Sequence, residues 1–89
     1  MTDGKKLEKI LKALANHRRL AILKYLLVKK SGTVGDVAGI IKLSFKSTSR
    51  HLAILRGGEI VEREQVGVLA NYSLAQPVDP IVRTVISRL

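Results

Sequence analysis

Residues 43–58 gather short hydroxyls and cations at the spacing of a helix. Ser44, Lys46, Ser47, Ser49 and Arg50 fall in its first turns, Leu52, Ile54 and Leu55 follow, and Gly57-Gly58 closes it. Such side chains, short hydroxyls and cations, suit non-covalent recognition. They donate and accept hydrogen bonds and meet anions. Arg50 can span guanine O6 and N7 or hold a phosphate, and the sequence leaves both open. The serines are short enough to let the backbone approach a surface. The helix start also offers free amides for a phosphate. This division, with reaching groups in front and apolar anchors behind, is what a helix entering a DNA groove requires. The chain has 89 residues with 16 Lys and Arg against 7 Asp and Glu, a formal net charge of +9, so a polyanion is the expected partner.

The elements that must hold this helix follow from periodicity. A first helix over residues 5–15 places Leu7, Ile10, Leu11 and Leu14 on one stripe, with Asp3 near its N-cap and Lys5, Lys9 and Lys12 on a solvated face. After Asn16, residues 17–29 form a second helix with apolar residues on most sides, so it should be central. Lys29, Lys30 and Gly32 supply its C-terminal charge and left-handed stop. Thr33-Val34-Gly35-Asp36 has the spacing of a capping box and opens a short third helix with Val34, Val37, Ala38 and Ile41 on one stripe. Lys42-Leu43 makes a turn, and Ser44 caps the fourth helix, with Thr48, Leu52 and Leu55 facing the core and Lys46, Ser47 and Arg50 facing out.

The pattern then changes. Residues 60–64 and 69–74 read as two short strands, with 65–68 as their hairpin turn. Pro77 breaks the second strand, and Asp79-Pro80 caps a last helix running to Leu89. That helix is too short to stand alone, so Ile81, Val82, Val85, Ile86 and Leu89 need a partner surface. The order is mainly α with a β-hairpin wing, α-α-α-α-β-β-α, a winged helix-turn-helix in one domain over residues 1–89.

Composition excludes several classes. There is no cysteine, which removes disulfides, thiolate metal ligands and thiol redox sensing. The two histidines, His17 and His51, are isolated and make no metal site, so neither metal nor other cofactor is expected. No histidine–carboxylate cluster or phosphate-cradling glycine loop suggests an enzyme. No run of about 18 apolar residues suggests a membrane span, and the start of the chain is charged, so we expect a soluble, cytoplasmic protein without membrane association.

Four segments in order resemble the ArsR-type winged-helix repressors, the metalloregulator-like family: residues 11–23, 34–38, 44–52 and 55–61. The resemblance implies a symmetric homodimer on double-stranded DNA, with an inverted-repeat operator. It implies a helix from Ser44 in the major groove, the hairpin as a flanking wing, and residues 5–15 and 80–89 at the dimer interface. On that reading Asp in place of Val85 or Ile86 should split the dimer. The implied DNA-facing residues are Ser44, Phe45, Lys46, Ser47, Ser49 and Arg50, with Arg63 from the wing. Phe45 stands where the family often has glutamine, so it either packs on a thymine methyl or against a neighbouring helix. The family's metal-site cysteines are missing, and the last helix has no histidine. The implied function is promoter occlusion by a transcriptional regulator. The alternative is a winged helix used for protein–protein contact in a larger assembly, which salt dependence would separate. The residues name neither effector nor operator.

Overall fold

The computed structural model describes residues 3–89. Five helices pack around one core, with a small antiparallel sheet along one side. The order is α1 (Gly4–Leu14), α2 (His17–Lys29), β1 (Ser31–Thr33), α3 (Val34–Ile41), α4 (Phe45–Gly57), β2 (Val61–Val66), β3 (Leu69–Leu74) and α5 (Pro80–Ile86).

Each helix start is chemically marked. The Asp3 carboxylate accepts from the Lys6 amide at 2.9 Å. The Asn16 side chain accepts from the amides of Arg18 and Arg19, so the residue that interrupts the first helix also begins the second. Thr33 and Asp36 exchange both hydrogen bonds of a capping box at 3.1 Å. Ser44 Oγ accepts from the Ser47 amide at 3.1 Å, and Asp79 accepts from Ile81 with Pro80 behind it. These contacts satisfy amides that have no partner within the helix.

As its composition predicts, α2 is central, touching α1, α3, α4, α5, β1 and β3. Ile22, Leu23 and Leu26 are fully buried, and α4 adds Thr48, Leu52 and Leu55 at 0% exposure. The outer end of α2 departs from the expectation, because Leu27 and Val28 face out.

The sheet holds three strands, not two. The short β1 pairs antiparallel with β3 through Ser31↔Ser73, Gly32↔Tyr72 and Thr33↔Asn71, giving the order β1-β3-β2. Gly32 therefore does not stop α2. That residue is Lys30, at φ 75°, while Gly32 sits in the sheet because a Cβ there would lie 2.8 Å from the Tyr25 ring. The second hairpin strand keeps its expected bounds, but β2 runs on to Val66, so the turn shrinks to Gly67-Val68, with Gly67 at φ 63°. A two-residue turn with glycine at its first central position follows the right-handed twist of the strands.

The last helix also differs from expectation. It ends at Ile86, and its stripe is divided. Val82 and Ile86 are buried within this chain's own core, Val85 is half-buried, and Ile81 and Leu89 stay exposed. Part of the partner surface that α5 needs is thus α2. Ile86→Asp would put a charge into the core and unfold the chain, so it cannot test a dimer.

Candidate nucleic-acid interface

The helix α4 is anchored by its rear. Thr48, Leu52 and Leu55 recur at three- and four-residue intervals and are fully buried, which turns the opposite face outward. Lys46 and Arg50, one turn apart, lie on that exposed face. Among the described residues the one ion pair is Lys6–Glu59 at 3.7 Å, so neither cation is neutralised by a carboxylate. Ser47 and Ser49 are half-buried at its edges, and Ser44 is spent on the cap. Thr48 is the exception inside, since its Oγ1 is buried without a hydrogen-bond partner among the described residues.

Phe45 opens the helix and is 63% exposed, so no neighbouring helix buries it. It lines a hollow of about 370 Å³ with Val34 at the start of α3, Ser49, and Arg63, Val68 and Ala70 of the hairpin, so the starts of α3 and α4 and the wing come together there. Arg63 does not swing freely. Its Nη2 donates to Gln65 Oε1 at 2.9 Å, and Gln65 Nε2 donates to the Gly67 carbonyl at 3.1 Å, tying the guanidinium to the hairpin turn. Of the residues expected to face DNA, Phe45, Ser49 and Arg63 line this hollow. Lys46 and Arg50 stand outside it on the exposed face. The sequence reading missed Gln65, which alternation along β2 places on the same side as Arg63.

It also missed a group behind α4. Arg19 Nε donates to the Ala13 carbonyl at 2.6 Å and Nη2 to the Lys12 carbonyl at 3.1 Å, closing the C-terminal end of α1. Its Nη1 lies 3.2 Å from His51 Nδ1 on α4. A guanidinium can only donate, so His51 must accept there and carry its proton on Nε2. Arg18 Nη1 donates to the Ile41 carbonyl at 3.3 Å, holding α2 to the end of α3. Arginine at two successive positions of a helix start was the signal available, but its targets are remote in sequence.

Burial and then the charges of Arg19, Arg18, Arg50 and His17 hold the His51 pKa below the ordinary 6.5. As pH falls through 6.5, the unfolded chain takes up a proton that the folded chain refuses. The stability associated with His51 is therefore complete above that value and is lost as pH falls toward its folded pKa. Denaturant melts between about pH 8 and 5 should show this loss, and His51→Gln should flatten it. Equal slopes for both proteins in that window would contradict the assignment.

No group of three or more His, Asp or Glu among the described residues could hold a metal ion, and no helix there is long and apolar enough to cross a membrane.

The sequence profile described as "Bacterial regulatory protein, arsR family" matches residues 16–63. No curated protein gives a significant match. Solved structures do. Reduced HlyU from Vibrio cholerae is similar at 34% identity with a TM-score of 0.80, over 96% of this chain and 85% of that one. The transcriptional repressor PagR of Bacillus anthracis is 28% identical with a TM-score of 0.79, over 94% and 92% of the two chains. A homodimeric winged helix-turn-helix DNA-binding domain from Mycobacterium bovis, a possible ArsR-family regulator, is 28% identical with a TM-score of 0.80, over 99% and 83%.

Proposed function

This chain belongs to the arsR family of bacterial regulatory proteins, and from that membership we propose that it is a homodimeric repressor that occludes a promoter by binding an inverted-repeat operator. The winged helix-turn-helix fold and the family make it a transcriptional regulator. The observation that supports the finer reading is the outward face of α4, where Lys46 and Arg50 stand exposed, without acidic partners among the described residues, beside the hollow shared with the wing. In this reading α4 enters the major groove, with Lys46, Arg50 and the edge serines Ser47 and Ser49 toward the DNA. Ser44 orients the helix start, and Arg63 reaches the flank.

The dimer has support from two places. The relative from Mycobacterium bovis is homodimeric. In this chain Leu11 on α1 and Ile81 and Leu89 at the C-terminal end remain exposed after the core is filled. A two-fold pairing of the terminal helices would cover them and set the two α4 helices about 34 Å apart, one turn of DNA.

Duplexes selected from a random pool by the intact protein provide the test. An inverted repeat should emerge, with affinity that falls steeply as salt rises. Arg50→Ala should cost about 1–3 kcal/mol and relax preference at one base pair if Arg50 reads a base. If it holds a phosphate, all sequences should weaken alike and the log–log salt slope should drop by about one. Affinity and slope both unchanged in a folded Lys46→Ala, Arg50→Ala dimer would refute the assignment of this face. Binding without salt dependence would favour a protein partner.

A further inference from the structure

We propose that the hollow between α4 and the wing seats the deoxyribose edge of one DNA strand, giving the protein an apolar component of affinity that does not depend on salt. This rests on the DNA reading above and specifies what the wing does within it.

The wing of this chain is greasy where a groove-binding loop is commonly cationic. Val68 at the turn is 95% exposed, Leu69 57% and Val66 55%. Gathered at one end of the hairpin, such side chains mark a contact surface. The placement is also specific. Phe45, from the first turn of α4, lines one hollow with Val68 of the turn and Ala70 of β3, and Val34, Ser49 and Arg63 line it too. Side chains far apart in sequence thus build one apolar wall with a hydroxyl and a cation beside it.

Two arguments select the occupant. Phe45 and Ser49, which line the hollow, are the chain neighbours of the exposed Lys46 and Arg50, so the hollow adjoins the cationic face of α4. A helix in the major groove and a wing at its flank straddle one backbone strand, and that strand must run between them. Its sugars present C–H groups and its phosphates are anionic. Phe45, Val68 and Ala70 match the former, while Arg63 and Ser49 match the latter. Covering the apolar side chains contributes through water release and displaces no counterion.

The test uses the full chain and a duplex selected by the wild-type protein, with affinity measured between about 50 and 200 mM salt. Val68→Ser and Phe45→Ser should each weaken binding, and together by about tenfold, at every salt concentration. The log–log slope should stay that of the wild type. Arg63→Ala should instead lower the slope by about one. Both apolar positions are exposed, so thermal melts of the variants should match the wild type.

Steep wild-type salt dependence with unchanged affinity of the Ser variants would overturn this proposal and leave the DNA reading standing. Absence of any salt-dependent DNA binding would overturn the DNA reading itself. If uracil in place of thymine reproduces the loss in the wild type, the seat holds a base methyl and the sugar assignment is wrong. If the Ser variants change the sedimentation of the free protein, a second copy covers this surface and the proposal fails.

Discussion

Leu11→Asp should turn the protein into a folded monomer and weaken its operator binding by about two orders of magnitude or more. Leu11 is 48% exposed on the outer side of α1, in a shallow hollow with Leu7 and Ala15, so an aspartate there meets water in the monomer and leaves the core intact. In a dimer the same carboxylate would be trapped against apolar surface without a partner, which costs several kcal/mol. The loss in DNA affinity follows from linkage of two half-sites. Once one α4 is bound, the second binds as an intramolecular partner, and splitting the dimer removes that advantage. Ile81→Asp, at 39% exposure on α5, should act in the same direction. Sedimentation equilibrium at tens of micromolar, paired with circular dichroism and operator titration, gives the result. A wild-type monomer at that order of concentration, or a Leu11→Asp protein that still dimerises, would remove this surface from the interface.

The second large effect is expected at Arg19. Replacing it with alanine removes donors to the carbonyls of Lys12 and Ala13 and the contact to His51 at once. Hydrogen bonds from a charged donor contribute about 1.5–3 kcal/mol each when buried, but here two contacts are partly buried and the one to Lys12 is exposed, so a total loss of about 2–4 kcal/mol is expected. For a domain of this size that corresponds to a fall in Tm of about 10–20 °C. Arg19→Lys should recover little, since one ammonium cannot reproduce a fork of donors aimed at three acceptors. The variant should also raise the His51 pKa, because the second-largest cause of its depression is gone. NMR titration of the His51 ring in a folded Arg19→Ala sample would show it. A Tm within a few degrees of wild type would mean that water serves these carbonyls equally well.

The relation between chain and fold is uneven, and the reason is range. Caps and helix faces are set by residues two to four apart. Asp3, Asn16, Thr33 with Asp36, Ser44 and Asp79 all cap where local chemistry says they should. The inward face of α4 follows equally from the spacing of Thr48, Leu52 and Leu55. Charge balance and the lack of cysteine restrict the possible chemistry at the level of composition alone.

Other features are set by distant partners. β1 is a three-residue strand with no alternation of its own, and it exists because Ser31, Gly32 and Thr33 find Ser73, Tyr72 and Asn71. Gly32 reads as a helix stop until Tyr25 folds over it. The apolar stripe of α5 reads as one surface, yet packing against α2 buries Val82 and Ile86 and leaves Ile81 for another partner. The same holds for the DNA-facing side. Local spacing turned Lys46 and Arg50 outward, whereas the meeting of Phe45 with Val68 and Arg63 depends on how the hairpin leans on α4. Periodicity and capping are energies between near neighbours and can be read along the chain. Division of an apolar face between core and interface depends on which surfaces pack first and best, and that is a property of the whole packed molecule.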